Sequence, residues 1–291
     1  LVRKRNIQDH QLDRLCARQP GEFGNVDTAA DDVALIAFTS GTTGRPKGTM
    51  HFHRDVVAMC DLFPRSCLRT RADDIFCGTP PLAFTFGLGG MLAFPMRYGA
   101  STVLVERLTP DALLETIQKF RATVCVTAPT FYRQMAGLAK NYDLRSLERC
   151  VSAGEALPDA TRQLFKSATG IEIIDGIGST EMIHIFISHT PERVRRGATG
   201  YAIPGYQAVV LDEKNRRCAT GEVGRLAVRG PTGCRYLADE RQKNYVIGEG
   251  EMRGWNVTGD AYSMDADGYF FYQSRTDDMI ISAGYNIAGP E

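Results

Sequence analysis

Between Val33 and about Asp175, short apolar and β-branched runs alternate with amphipathic stretches of helical length. Such alternation predicts repeated βα units and a largely parallel β-sheet with flanking helices, an α/β fold. Strands are predicted over 33–38, 74–78, 101–105, 123–127, 149–153 and 172–175, and helices over 53–63, 87–97, 110–120, 129–139 and 158–169. Several helix ends are legible. Thr109-Pro110-Asp111 supplies a cap and an N-terminal proline, Leu157-Pro158-Asp159 opens the last helix, and Gly170 closes it. Beyond about Pro204 the texture changes to β-rich segments punctuated by glycine: Gln207–Asp212, Gly221–Gly230 and Gly268–Tyr272, with a turn at Asp265–Gly268. This predicts a small antiparallel β subdomain appended to the parallel sheet.

The 291 residues suffice for a large core and more than one structural unit. Lysine plus arginine balances aspartate plus glutamate at 34 each, so no field of one sign recruits nucleic acid or an anionic membrane, and anion binding must be local. Eight cysteines are scattered without a C-x-x-C pair, which reads as the reduced, mostly buried thiols of a cytoplasmic protein. No apolar run approaches membrane-spanning length.

Residues 39 to 48 form a hydroxyl- and glycine-rich loop ending in a lysine: Thr39, Ser40, Gly41, Thr42, Thr43, Gly44, Arg45, Pro46, Lys47, Gly48. It directly follows the apolar run Val33–Phe38. A strand feeding such a loop is a device for gripping polyphosphate, because glycines let backbone N–H groups converge on one anion while hydroxyls and the lysine add donors and charge. The register excludes the Walker type, which needs Ser or Thr directly after the lysine. A second loop, Asp175-Gly176-Ile177-Gly178-Ser179-Thr180-Glu181, also ends a predicted strand and can face the same crevice. Its carboxylate suits magnesium held on phosphates. His51, His53 and His184 lack the spacing of a zinc site.

The first loop closely resembles the signature of the adenylate-forming superfamily of acyl-CoA synthetases, adenylation domains and luciferases. The second resembles that family's aromatic-Gly-x-Thr-Glu motif, with Ile177 in place of the tyrosine. The resemblance implies that Thr180 meets the α-phosphate and Glu181 the magnesium. It implies too that Gly154 and Glu155 of Ser152–Pro158 lie against adenine, with Asp175 accepting from the adenine amino group beside Gly176 and Ile177. Thr258-Gly259-Asp260 matches the segment whose carboxylate holds ribose hydroxyls, and Arg275 of Ser274–Ile280 reaches ribose or phosphate. Asp277 then falls at the hinge of a mobile C-terminal domain and Gly284 at the pantetheine tunnel. Gly48–His53, Leu82–Gly89 and Gly178–Phe186 look most like benzoate and 2-aminobenzoate CoA ligases. That likeness makes Thr85, Phe86, Ile177 and His184 candidates for the acyl pocket.

The resemblance covers nearly the whole chain and implies ATP-dependent activation of an aryl carboxylate to an acyl-adenylate, then transfer to CoA. Lys47, Thr180 and Glu181 are the expected catalytic residues, with ATP, Mg2+ and CoA as cofactors and substrates and a homodimer left open. Its domain reading is a partial N-terminal segment (1–32), an ATP- and acyl-binding core (33–203), the antiparallel subdomain (204–273) and a hinge with the truncated start of a C-terminal domain (274–291). The family's adenylation lysine lies beyond that hinge, so 1–291 is expected to be an incomplete piece of the enzyme. Three alternatives stay open: an adenylation domain loading a carrier-protein thiol, a phosphotransferase releasing ADP, and a nucleotide-binding pseudo-ligase.

Overall fold

The computed structural model describes residues 14–39, 46–276, 279–282 and 285–288. Its first strand, β1 (Val33–Thr39), pairs antiparallel with β2 (Lys47–Phe52), Thr39 opposite Lys47. Helix α1 (His53–Phe63) follows, its first turn fixed by the Asp55 carboxylate accepting from the Phe52 N–H at 3.0 Å. Next come β3 (Ile75–Gly78) and α2 (Thr85–Leu88), a π-turn at Gly89–Ala93, and α3 (Phe94–Tyr98). The alternation continues with β4 (Ser101–Leu104), α4 (Pro110–Phe120), β5 (Val124–Thr127), α5 (Pro129–Leu138), β6 (Arg149–Ser152), α6 (Asp159–Thr169) and β7 (Ile173–Gly178). After β7 come β8 (Ile185–Ser188) and β9 (Tyr201–Ala202).

These strands form a seven-stranded sheet in the order β4-β3-β5-β6-β7-β8-β9, parallel from β4 to β7 and antiparallel thereafter. Period-2 alternation splits its side chains between two cores. Phe76, Val124, Val126 and Val151 join α1 and the π-turn on one side, while Cys77, Cys125 and Cys150, in register on β3, β5 and β6, join α4, α5 and α6 on the other. All eight cysteines are free, and six are buried. The helix ends are as the sequence indicates: Thr109 Oγ1 accepts from the Ala112 N–H at 3.2 Å and Gly170 closes α6 at φ +77°.

A second, antiparallel sheet comprises β10 (Gln207–Leu211), β11 (Gly224–Arg229), β12 (Asn256–Met264) and β13 (Phe270–Arg275), with the short helix α7 (Gln242–Tyr245) in the connection between β11 and β12. A further hairpin pairs β14 (Met279–Ser282) with β15 (Tyr285–Ala288). The two larger sheets are joined where the Phe270 N–H donates to the Gly200 carbonyl at 2.7 Å.

The α/β class and the antiparallel addition are as the sequence predicts, with local corrections. The run 33–38 is a strand but not the first strand of the parallel sheet: Lys47–Phe52 is extended and claims it as a hairpin partner, leaving Phe38 66% exposed. The helix expected over 87–97 starts at Thr85 and carries the π-turn. There Gly89 and Gly90 lie so close to His184 and Val126 that a Cβ at either would stand 2.4 and 3.0 Å from them. Strand 172–175 continues to Gly178, and β8 adds to it antiparallel. The turn at Asp265–Gly268 calls for a strand before it, and β12 is that strand, although Asn-Val-Thr-Gly-Asp-Ala-Tyr-Ser-Met lacks the clean apolar alternation that would mark its bounds.

Candidate active site

The site is built where the β1–β2 hairpin meets the end of β7. Lys47 begins β2, and its ammonium lies 3.8 Å from Glu181 Oε1. Thr39, its cross-strand partner, has a buried hydroxyl with no hydrogen-bond partner among the described residues. Ser40, Gly41, Thr42, Thr43 and Gly44 lie outside the described residues.

Glu181 follows a tight crossing of chain. A Cβ at Gly178 would stand 2.6 Å from the His184 backbone, so only glycine lets β7 leave the sheet there. Ile183, wholly buried, adopts φ +69°, a conformation that costs a β-branched residue roughly 1–3 kcal/mol. The Thr180 carbonyl at the apex accepts two hydrogen bonds, from the Ile183 N–H at 3.1 Å and from His51 Nε2 at 2.7 Å. The Ser179 hydroxyl accepts from the Met182 N–H and bonds the Tyr245 hydroxyl at 3.1 Å.

Two features of this centre were absent from the sequence reading. The Tyr236 hydroxyl donates to Glu181 Oε1 at 2.5 Å, and the Lys47 ammonium sits 4.7 Å from the centre of the Tyr236 ring. Burial and the Glu181 charge push the Tyr236 phenol far above its ordinary range, so it stays protonated and donates. Tyr245 meets the Tyr236 ring edge-on at 6.2 Å. Burial first, then the charge of Glu181, raise its pKa too, so it stays protonated. No local pattern marks either tyrosine, because both lie in the connection between β11 and β12, Tyr245 at the end of the four-residue α7, and reach the site only through the fold. His51 belongs to the Gly48–His53 segment, in which nothing local signals that its ring reaches the Thr180 carbonyl.

Asp260 on β12 faces Arg275 on β13 in register, with Arg275 Nη1 donating to Asp260 Oδ1 at 3.0 Å. Asp175 is buried on β7, where Oδ1 has no hydrogen-bond partner among the described residues. Burial raises its pKa to about 7, against the opposing pull of Arg162, the Gly176 N–H and the Ser152 hydroxyl. Gly176 and Ile177 follow it on the strand. Gly154 takes φ +89°, and Glu155 Oε2 accepts from the Thr130 hydroxyl at 2.9 Å. Glu155 and Ala156 line a cleft of about 370 Å³ between the N-termini of α5 and α6.

Of the acyl candidates, Phe86 and His184 are in ring contact at the main core. Phe86 and Ile177, half-buried, pack on the same core. His184 is 5% exposed among Phe94, Phe86 and Phe63, at ring separations of 4.6, 5.8 and 6.0 Å. Its Nε2 is 3.4 Å from the Phe86 carbonyl, its Nδ1 is buried without a partner among the described residues, and burial depresses its pKa to about 4, leaving it neutral. Thr85, buried, begins α2 beside Phe86. Asp277 and Gly284 lie outside the described residues.

A family model described as AMP-binding enzyme matches residues 4–236. The chain belongs to the AMP-binding enzyme family. Among relatives in this family, a benzoate–CoA ligase of Thauera aromatica is 35% identical over 285 residues, 96% of this chain and 53% of the relative. An anthranilate–CoA ligase of Pseudomonas aeruginosa is 34% identical over 281 residues, 94% of this chain and 53% of the relative. The crystal structure of an anthranilate CoA ligase in complex with anthranoyl-AMP matches at TM-score 0.84 and 37% identity, covering 95% of this chain and 54% of that one. The chain thus spans about half the length of the curated AMP-binding relatives it matches. Among the described residues, no helix is long and apolar enough to cross a membrane.

Proposed function

We propose that the protein activates an aromatic carboxylic acid of the benzoate or 2-aminobenzoate type with ATP, releasing pyrophosphate, and passes the acyl group to the thiol of CoA. The observation that carries this reading is the meeting of Lys47, at the start of β2, with Glu181, just beyond the end of the parallel strand β7, at 3.8 Å. The names of the benzoate and anthranilate ligases support the substrate class.

In this mechanism the substrate carboxylate attacks the α-phosphorus, pyrophosphate leaves, and the resulting mixed anhydride carries AMP as a good leaving group. Lys47 and the hydroxyls of Thr39, Ser40, Thr42 and Thr43, with the backbone of Gly41 and Gly44, neutralise and orient the phosphates, and Thr180 meets the α-phosphate. Such electrostatic positioning is most of what a protein offers phosphoryl transfer. The free Asp175 Oδ1 suits the adenine amino group as an acceptor, with Gly154, Glu155, Gly176 and Ile177 around the ring. Asp260 can accept two ribose hydroxyls once Arg275 turns toward ribose or phosphate. The CoA thiol then attacks the acyl carbonyl and expels AMP.

Magnesium fits Glu181. Oε1 is committed to Tyr236 and Lys47, no hydrogen bond is made to Oε2 among the described residues, and one carboxylate with phosphate and water oxygens is an ordinary set for this ion. Bound there, it neutralises charge on the phosphates. Thr85, Phe86, Ile177 and His184 wall the aryl pocket, with flat apolar faces for the ring and His184 Nδ1 for a substituent. Asp277 as hinge and Gly284 at the CoA tunnel belong to the same reading.

The test is carboxylate-dependent exchange of labelled pyrophosphate into ATP by the complete polypeptide, with benzoate, 2-aminobenzoate, cinnamate and acetate side by side. Exchange with the benzoates alone, lost in Glu181→Gln, and thioester formation with free CoA are expected. Exchange without a CoA thioester points to a carrier-protein thiol as acceptor, and no exchange with any acid overturns the reading.

A further inference from the structure

We infer that Tyr236 is a positioning residue for the metal–nucleotide site: its hydroxyl fixes Glu181 through Oε1 while its ring seats the Lys47 ammonium, presenting Oε2 and the cation together to the phosphates. The inference rests on the reading of Glu181 as the magnesium carboxylate and deepens it.

Tyr236 is 6% exposed, and its backbone is held from both sides. Thr49 of β2 bridges to it, flanked by the Met50 N–H donating to the Arg235 carbonyl at 2.7 Å and the Leu237 N–H to the Gly48 carbonyl at 2.8 Å. Its own N–H donates to Gln242 Oε1 at 2.7 Å, and Gln242 Nε2 returns a bond to the Cys234 carbonyl at 2.8 Å. Segment 235–237 is therefore a third strand-like partner of the hairpin that carries Lys47. One phenol thus spans the chain's two anion-handling elements, the hairpin and the β7 loop. Glu181 also has no hydrogen-bonding partner other than Tyr236 among the described residues, so losing the phenol frees its rotamer. Outer-shell partners of this kind tune metal affinity by orienting the ligand oxygen.

The experiment is titration of the intact protein with ATP at a series of Mg2+ concentrations and in EDTA. Tyr236→Phe keeps the ring and its packing, so the Mg2+ concentration that half-maximally tightens ATP binding is expected to rise roughly tenfold to a hundredfold, with affinity in EDTA unchanged. Tyr236→Leu also removes the face beneath Lys47 and is expected to weaken ATP binding in EDTA by roughly twofold to fivefold. Glu181→Gln separates the two ideas. If it abolishes the Mg2+ dependence while Tyr236→Phe behaves as wild type, the role of Tyr236 is overturned and the metal reading stands. If Glu181→Gln retains wild-type Mg2+ dependence, the metal reading falls and takes this inference with it. Thermal melts of both tyrosine variants confirm that folded protein is compared.

Discussion

His51 Nε2 donates to the Thr180 carbonyl across 2.7 Å, joining residues 129 positions apart. His51 is wholly buried on β2, and burial outweighs the Thr180 bond and the nearby charges of Asp55 and Glu181 in lowering its pKa. The neutral ring then carries its proton on Nε2, the nitrogen that faces a carbonyl. The hairpin that presents Lys47 thereby fixes the loop that presents Thr180 and Glu181.

His51→Ala is expected to lose about 2–3 kcal/mol of stability, from the cavity and the weakened carbonyl, and to lower ATP affinity. His51→Gln retains an amide donor at similar reach and should recover part of both. Urea unfolding and nucleotide titration read the two effects. ATP affinity unchanged in His51→Ala would show that the β7 loop holds its shape without the histidine.

Gly89 and His184 share one space. A Cβ on Gly89 would stand 2.4 Å from His184 Cδ2, and Phe94 closes the other side. Gly89→Ala should displace the imidazole and weaken aryl acid binding roughly tenfold, an effect of the size that misfit in a packed site produces, while leaving nucleotide affinity unaltered. Separate titrations with aryl acid and with ATP test this. Equal loss of both would mean that the substitution disturbs the whole core.

The adenine contact proposed for Asp175 predicts a pH dependence of nucleotide binding. With its pKa raised to about 7, the free protein holds this carboxyl largely protonated at pH 6, whereas an adenine amino group requires the ionised acceptor. Affinity for AMP should therefore rise by up to about tenfold per pH unit below 7 and level off above it. Asp175→Asn should flatten the profile and bind more weakly. Isothermal titration between pH 5.5 and 8.5, with proton release followed through buffer ionisation heats, measures both.

Fold stability also falls on acidification, through the buried histidines. Burial depresses the pKa values of His184 and His189 to about 4, below their ordinary 6.5. The unfolded chain therefore binds more protons between those values, and their contribution is lost as pH falls from about 6.5 toward 4. His189 is locked in one tautomer: Nδ1 faces the Thr190 carbonyl at 3.0 Å, while Nε2 accepts from the Asp175 N–H at 3.2 Å. Asp175 itself, with a raised pKa, loses stability as pH rises through 4 to 7 and so offsets part of the histidine effect. Asp175→Asn should steepen acid destabilisation in that window. Denaturant midpoints at pH 4.5, 5.5, 6.5 and 7.5 decide whether it does.

The apolar rhythm, the Thr109 and Gly170 helix ends and the two glycine-rich loops were legible because each is a local property: strand period, cap chemistry and backbone freedom act over a few residues. The same locality explains the class of chemistry, since Lys47, Thr180 and Glu181 sit in contiguous motifs. What the sequence left open was decided by partners far along the chain. β1 left the parallel sheet because β2 was available as an antiparallel neighbour, and local apolarity cannot distinguish the two pairings. Tyr236, Tyr245 and His51 reached the site only when the hairpin, the β11–β12 connection and the β7 loop came together. The shifted pKa values of Asp175 and His184 exist only after burial removes their water. Residue types and short-range spacing determined which groups could serve this chemistry, whereas burial and contacts across 55 positions at Tyr236–Glu181 and 129 at His51–Thr180 decided how those groups are held and charged.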